Sequence, residues 1–346
     1  MGKKKIRLGV IGAGSFSNSH LLGIKYAGNA EAVAICDIME EKARKQAEKF
    51  GISDYYTDYK ELLKRDDIDA VTLPLPDQLH AQVTVDALRA GKHVLCEKPM
   101  ALNLDDCRQM IKAARETGKQ LMIGQIGRYT PGFLMAKKMV DDGVIGELFF
   151  VESEYAHDYS KIGGEGGWRI TPERHPVIGG GCHAVDLLRM IAGDPTEVFA
   201  YANGKVLTDW PVNDCTIAVM KFPNNVIGKV LTSIGCKRKY TMRTVIYGSK
   251  GTIIVDNTTP TLTLFKEEFT QMDEFKNLHQ QAVELKIPVA INNHNFEAEV
   301  RDFCECILEG KPVLTDGVEG ASTVAVCLAI VESEQKEEKI KLEYNF

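Results

Sequence analysis

The sequence has no window near 18 uninterrupted apolar residues, the length a membrane-crossing helix requires. Clustered basic charge is also scarce. Its 42 lysines and arginines stand against 48 acidic residues, for a net charge of −6, which argues against counterion-displacing binding to nucleic acid. The one basic run, Lys3-Lys4-Lys5, leads into a strand rather than a long apolar core, so it reads as neither secretory signal nor transit peptide. No C-x-x-C pair occurs, and the nine cysteines stand singly apart from Cys304 and Cys306, a pattern that fits reduced thiols in the cytoplasm and no metal site. Fixed-period repeats and low-complexity segments are missing as well. What remains is an ordinary globular composition, 44% hydrophobic and 26% charged, over 346 residues. That length suits about two domains.

The first 125 residues alternate short apolar runs with amphipathic stretches. Strands are predicted at residues 6–12, 31–37, 70–73, 93–96 and 120–125, and helices at 17–28, 40–50, 78–90 and 104–117. Such alternation implies right-handed crossovers and a doubly wound parallel sheet of Rossmann type. Beyond residue 148 the segments LFFVESEYA, CTIAVMKF, VIGKVLTSIG, RTVIYGS, GTIIVD and TLTLF alternate apolar with polar residues, as half-buried strands do. Asn224-Asn225 reads as a hairpin turn between two of them. A closing helix is expected over 294–309, with Phe296, Val300, Phe303 and Ile307 on one stripe. The fold class is therefore α/β, a Rossmann domain over 1–125 followed by an α+β domain over 126–346 built on a mostly antiparallel, open-faced sheet. The last helix is a candidate to pack back on the first domain.

GVIGAGSFSNSH, residues 9–20, sits where the first strand meets the first helix. Gly12 permits the tight turn, Gly14 lets the backbone approach a pyrophosphate, and the helix start with Ser15 and Phe16 offers free N–H groups to that anion. Ser17 stands where a third glycine is usual. Asp37 ends the second strand, where an acid accepts hydrogen bonds from ribose hydroxyls and repels a 2′-phosphate; Ile38 and Met39 follow it, which favours NAD over NADP. CEKPM, residues 96–100, ends the fourth strand at the same sheet edge, and Pro99 restricts the backbone before it. From spacing alone Lys98 is either a solvated turn residue or a cation aimed into a cleft.

These motifs, together with LPLPDQLH (73–80), AGKHVLCEKP, IGRYTP (126–131), GGGCHAVDLLR (179–189) and LEGKPVLTDGVEG (308–320), follow one another in an order that resembles the glucose–fructose oxidoreductase / inositol dehydrogenase / MocA family. The resemblance covers nearly the whole chain. It implies an NAD-dependent oxidoreductase acting on a sugar, cyclitol or glycoside. It further implies Lys98 as the catalytic lysine and cofactor contacts from Asp37, Pro74, Pro76, His80, Glu97 and Gln125. Trp168-Arg169 resembles a pair beside nicotinamide and substrate.

Dehydrogenating a secondary alcohol requires a group to take the hydroxyl proton, and histidine titrates in the right range. By the family pattern D-x-G-x-H-x-x-D, His183 is the general acid/base, Lys98 its electrostatic partner, and Asp186 an acceptor for a substrate hydroxyl or the histidine. The glycines are expected to let the backbone pass close to cofactor and substrate. The pattern's first aspartate is replaced by Gly179. His157, Asp158 and Tyr159 are the nearest candidates to take its role, although Tyr155 and Tyr159 read equally as sheet-surface aromatics. Arg174 and His175 read as solvated loop residues. Cys182 reads as a buried residue at a helix start, since a nucleophile needs a base in space and zinc needs three or four ligands.

Two other functions share this machinery: a redox-assisted glycosidase or glycoside 3-oxidase that keeps NAD bound and eliminates the aglycone, and a non-catalytic NAD or sugar sensor. Unfilled apolar faces of the second sheet point to a homodimer or homotetramer.

Overall fold

The structure, a computed structural model, describes residues 5–266, 271–272, 278–279, 283–292 and 294–346, so Lys3 and Lys4 of the basic run lie outside the described residues. The chain divides into two compact units: residues 1–126 with 295–324 and 345–346, and residues 127–294 with 325–344.

In the first unit, β1 (Ile6–Ile11), α1 (Ser17–Ala27), β2 (Ala30–Cys36), α2 (Glu40–Phe50), β3 (Asp54–Tyr56), α3 (Tyr59–Leu63), β4 (Ala70–Leu73), α4 (His80–Arg89), β5 (His93–Glu97), α5 (Leu104–Thr117) and β6 (Leu121–Gly124) alternate along the chain. All six strands pair in parallel in the order β3-β2-β1-β4-β5-β6. Every residue of β4 and β6 is buried, as both-faced burial of an apolar run requires. A polar cap starts α5: the Asn103 side chain accepts the Asp106 N–H, and Asp105 and Asp106 also complement the helix dipole. The strand order reverses between β1 and β4, so ligands of such a sheet bind beyond the carboxyl ends of those strands. Helix α8 (Phe296–Glu309) packs on α1, its Phe296 Cβ and carbonyl pressed against Gly23, where an added Cβ would lie 2.8 Å from both.

The second unit comprises α6 (Pro131–Asp141), β7 (Leu148–Ala156), α7 (Cys182–Ala192), β8 (Glu197–Asn203), β9 (Cys215–Lys221), β10 (Ile227–Ser233), β11 (Thr241–Gly248), β12 (Gly251–Asp256), β13 (Thr261–Lys266), β16 (Val283–Pro288) and β17 (Ile340–Lys341). These strands form one sheet in the order β16-β13-β12-β11-β7-β10-β9-β8-β17, antiparallel except for β7 beside β10. The short β14 (Gln271–Met272) and β15 (Leu278–His279) pair with each other. The Asn224-Asn225 turn joins β9 to β10, both residues at positive φ. Helix α7 covers one face. On β9, Thr216, Ala218 and Met220 are buried while Ile217 and Val219 are exposed, the alternation of a sheet with one covered face.

The helix at 296–309 is not the last. α9 (Gly317–Lys336) follows, 20 residues whose middle, from Ala321 to Ile330, is apolar and small and buried almost throughout. A helix that is apolar on every side shows no amphipathic stripe, which is why its periodicity is silent in the sequence. No described helix is long and apolar enough to cross a membrane.

Candidate functional site

The first unit gathers its predicted residues along the carboxyl edge of the six-stranded sheet. Gly12 has φ +109°, and a Cβ there would lie 2.7 Å from the Pro74 carbonyl oxygen, so only glycine allows the turns after β1 and β4 to touch. A Cβ on Gly14 would meet nothing within 4 Å: the backbone there faces open space. Ser17, the departure from a third glycine, is buried and donates its hydroxyl to the Gly14 carbonyl at 2.6 Å, fastening the loop to the helix it opens. No side chain caps α1, and its first turn holds no acid. Asp37 closes the loop from the other side, accepting the Ala13 N–H at 2.8 Å and the Met39 N–H at 2.9 Å.

Behind this loop runs a buried polar line that the sequence did not announce. His20 Nε2 lies 2.9 Å from Glu97 Oε1, and Thr72 Oγ1 lies 2.5 Å from His20 Nδ1. With the carboxylate as acceptor, Nε2 carries the ring proton and the threonine hydroxyl donates to Nδ1. Burial opposes ionisation of Glu97, but the His20 hydrogen bond, aided by Lys98 and His80, outweighs it and holds the carboxyl below its ordinary value. The second Glu97 oxygen accepts the Lys98 N–H at 3.1 Å, so the Lys98 backbone is tied to this line. Phe16 and Phe296 flank His20 with ring centroids 5.9 and 4.8 Å away.

His80 is buried, with Nδ1 2.8 Å from the Pro99 carbonyl and Nε2 3.1 Å from the Leu75 carbonyl. Its side chain thus pins the Pro74–Pro76 turn to the Lys98-Pro99 turn rather than opening toward a ligand. Burial disfavours the charged ring, but Cys96, Asp77 and the Pro99 carbonyl prevail and push its pKa up to about 10. Gln125, one residue beyond β6, is buried with its Oε1 lacking a hydrogen-bond partner among the described residues. An open cradle at Gly14, an uncapped helix start and an orphaned amide oxygen are what a dinucleotide with a nicotinamide end would fill, so these residues fit the cofactor.

In the second unit, the opening of α7 is built from glycines for a reason other than ligand approach. Residues Val177–Gly181 form one π-helical turn running into α7. A Cβ on Gly179 would lie 2.3 Å from the Arg174 guanidinium, on Gly180 2.6 Å from the Tyr155 ring, and on Gly181 2.2 Å from Thr232 Oγ1. The expectation that these glycines bring backbone close to cofactor and substrate is thereby corrected: side chains of the same unit fill the space.

Four side chains of this unit also overturn their readings. Arg174 and His175 are not solvated but buried. Arg174 donates to the Gly179 carbonyl at 3.1 Å and stands over the Trp168 ring at 4.9 Å, while His175 Nε2 lies 2.9 Å from Glu334 Oε1. Tyr155 and Tyr159 are likewise buried rather than sheet-surface aromatics, their hydroxyls 2.8 Å apart. The Tyr155 hydroxyl also lies 3.2 Å from His157 Nδ1. Burial, with Tyr159 and Tyr240 close by, raises the Tyr155 phenol well above its ordinary value and keeps it a neutral donor.

His183, buried at the start of α7, stacks on Tyr155 with ring centroids 6.0 Å apart, and His294 stacks on His183 at the same distance. Tyr240 completes the group, its hydroxyl 3.4 Å from His294 Nε2. Asp158 turns outward to Lys237, and Arg169 stands over the Trp168 ring at 4.7 Å. Asp186 points elsewhere: Arg128 Nε and Nη2 donate to its two oxygens at 2.9 and 2.8 Å, a buried fork-to-fork pair. That pair engages both oxygens of the residue expected to accept from a substrate hydroxyl or to orient the histidine. Cys182 is buried beside them, and among the described residues no group of three or more His, Cys, Asp or Glu is placed to hold a metal. Tyr240, His294 and Arg128 escaped sequence reasoning because each meets its partners from a distant part of the chain.

A dinucleotide-type first unit with a lysine at its sheet edge, and an open-sheet unit with a buried histidine on its covering helix, define an oxidoreductase of the NAD-binding Rossmann class. Residues 6–125 match the family described as "Oxidoreductase family, NAD-binding Rossmann fold", and residues 133–254 match the "GFO/IDH/MocA C-terminal domain". The chain belongs to the GFO/IDH/MocA oxidoreductase family. It is 27% identical to myo-inositol 2-dehydrogenase of Thermotoga maritima across 98% of this chain and 99% of that one. To 1,5-anhydro-D-fructose reductase of Ensifer adhaerens it is 30% identical over 72% of this chain and 76% of the relative. Levoglucosan dehydrogenase in complex with NADH shares the fold, at TM-score 0.90 and 22% identity, covering 98% of this chain and all of the other.

Proposed function

We propose that the protein is an NAD-dependent dehydrogenase that takes a hydride from a ring secondary alcohol of a sugar, cyclitol or glycoside. The observation that carries this reading is His183, a buried imidazole held face-on by Tyr155 and His294 within a group of hydroxyl and imidazole donors. The nicotinamide, when bound, supplies the hydride acceptor. His183 takes the hydroxyl proton, and the Lys98 ammonium offsets the negative charge that grows on the departing oxygen. Glu97 fixes the Lys98 backbone, and Asp37, Gly12 and Gly14 shape the cradle for the adenosine end. Asp186 acts at one remove, by holding Arg128 against α7. The names of the relatives, a myo-inositol dehydrogenase and an anhydrofructose reductase, support polyhydroxylated rings as substrates.

The test supplies NAD⁺ and, in parallel, NADP⁺ with a panel of sugars, inositols and glycosides while reduced cofactor is followed by absorbance. His183→Ala is expected to lower kcat by roughly 10²–10⁴-fold, and Lys98→Ala to lower it severely as well. Unchanged turnover in both variants would refute the assignment.

The linked hydroxyls of Tyr155 and Tyr159 beside His157 exceed what proton removal from one alcohol requires, and this favours a second reading: oxidation followed by elimination of an aglycone. Release of a chromogenic aglycone without net cofactor reduction distinguishes it. We also propose a cytoplasmic homodimer or homotetramer, because Ile217, Val219, Ile227 and Tyr201 form an exposed apolar set on the uncovered sheet face. Light scattering that returns the mass of a single chain refutes self-association.

A further inference from the structure

We propose that His20 is a positioning residue for Lys98: held in one tautomer by Thr72 and acting through Glu97, it fixes the turn that presents the lysine at the sheet edge. The consequence for catalysis rests on the dehydrogenase reading above, to which it adds two residues that work at one remove.

The geometry leaves the imidazole no freedom. His20 stands in the opening turn of α1 and Thr72 on β4, both 0% exposed. Both ring nitrogens are engaged, Nε2 at 2.9 Å from Glu97 Oε1 and Nδ1 at 2.5 Å from Thr72 Oγ1. An ionised carboxylate only accepts, so Nε2 carries the proton and the threonine hydroxyl donates to Nδ1. Phe16 and Phe296 pack around the ring at 5.9 and 4.8 Å and lie 5.4 Å from each other. These apolar walls keep water from competing, so the bond from imidazole to carboxylate retains the strength of a charge-assisted contact in a low-dielectric setting.

Glu97 converts the fixed ring into a fixed lysine. One of its oxygens meets His20, and the other accepts the N–H of Lys98, the next residue, at 3.1 Å. Just beyond, His80 Nδ1 holds the Pro99 carbonyl at 2.8 Å, so the turn is anchored on both sides of Lys98. A carboxylate this buried is costly to keep ionised, and the His20 hydrogen bond is the largest compensation it has. Without that donor burial prevails: the acid takes up a proton or turns aside, and the Lys98 N–H loses an anionic acceptor. Packing alone asks for no such arrangement. Apolar side chains of similar volume at positions 20, 72 and 97 would fill the same space at little cost in stability. What the polar line adds is direction, and the residue at its end is the lysine.

The experiment uses the full chain and four readouts. They are kcat and KM with the panel member it oxidises fastest, the NADH dissociation constant from fluorescence, the His20 tautomer from imidazole nitrogen NMR of isotope-labelled protein, and the rate at which acetic anhydride labels the Lys98 amine with NADH bound, read by peptide mass spectrometry. His20→Leu is expected to lower kcat on the order of 10- to 100-fold, the worth of one charge-assisted hydrogen bond. KM and the NADH dissociation constant should stay within about threefold, since the lost interaction serves the transition state. His20→Gln, which returns an N–H toward Glu97, recovers most of the loss. Thr72→Val, close in volume, lowers kcat by roughly 3- to 10-fold, as for one neutral hydrogen bond, and mixes the two tautomers. The unaltered protein shows the Nε2–H form, assigned by its disappearance in His20→Gln.

The inference is overturned if His20 carries its proton on Nδ1, if His20→Leu keeps full kcat, if its loss lies in KM or NADH binding, or if His20→Gln recovers nothing. Should His20→Leu not fold, Thr72→Val decides by the same split: a fall confined to kcat sustains the inference and an unchanged kcat overturns it. Should the unaltered protein oxidise no panel member, the dehydrogenase reading falls and the amine labelling decides instead. A several-fold change in His20→Leu, reversed in His20→Gln, sustains the positioning of Lys98; an unchanged rate overturns it.

Discussion

In the first unit the functional groups are held by the backbone. The Ala13 and Met39 N–H groups close on Asp37, the Lys98 N–H closes on Glu97, and His80 clasps two carbonyls across two turns. In the second unit they are held by one another. Tyr155, His157, Tyr159, His183, Tyr240 and His294 make a group of rings and hydroxyls drawn from β7, α7 and three loops far apart in sequence. Turns that cradle a common cofactor depend on peptide geometry, which tolerates little change. A cluster of side chains can be retailored one residue at a time. The first unit thus rests on fixed backbone geometry and the second on side chains that can be exchanged singly.

Two glycines test this contrast most sharply. Gly12→Ala places a Cβ 2.7 Å from the Pro74 carbonyl at φ +109°, where neither backbone can yield. We expect a stability loss of about 3 kcal/mol and NAD affinity reduced by on the order of 100-fold, since 1.4 kcal/mol is tenfold. Gly179→Ala meets the far end of a flexible side chain, 2.3 Å away, which can swing. Its cost should stay near 1–2 kcal/mol, with NAD affinity unaltered. Denaturant titration and quenching of intrinsic fluorescence by NADH measure both. Normal cofactor binding by Gly12→Ala, or its loss in Gly179→Ala, breaks the comparison.

The same contrast decides what was legible in the sequence. Backbone-held features announce themselves locally: Gly12 and Gly14 after an apolar strand, Asp37 at the next strand end, and Lys98 before Pro99 all follow from neighbours within a few residues. The parallel sheet, the alternating second sheet and the Asn224-Asn225 turn are local patterns too, and the structure bears them out. Arg174 looked solvated because the ring that shelters it, Trp168, and the missing side chain that admits it, Gly179, are visible only in space. Tyr155 alternated correctly on β7, but whether its face was covered depended on α7. Helix α9 stayed hidden for the opposite reason, since burial on every side leaves no periodic contrast to read.

The smallest expected effect concerns pH, and it centres on a buried carboxyl of the first unit. Glu299, on the face of α8 turned inward, is fully buried with neither carboxyl oxygen hydrogen-bonded among the described residues. Burial first, then the nearby Glu97 and Asp302, raises its pKa well above the ordinary glutamate value. Folding therefore retains a proton that the unfolded chain releases, so the contribution to stability is full below the ordinary carboxylate range and is lost as pH rises toward the folded value. Glu97 runs the other way: its lowered value stabilises the fold above the ordinary range, and that contribution is lost as pH falls through the folded value. The second unit's buried Tyr155 and Tyr240 are raised away from neutrality and contribute nothing to either slope there. Glu299→Gln, which cannot ionise, should flatten the fall in Tm between pH 5 and pH 8, by at most about 1.4 kcal/mol of stability per pH unit. An unaltered pH profile in that variant would mean that the buried carboxyl finds a partner in solution, and that the first unit is less rigidly backbone-held than its hydrogen bonds indicate.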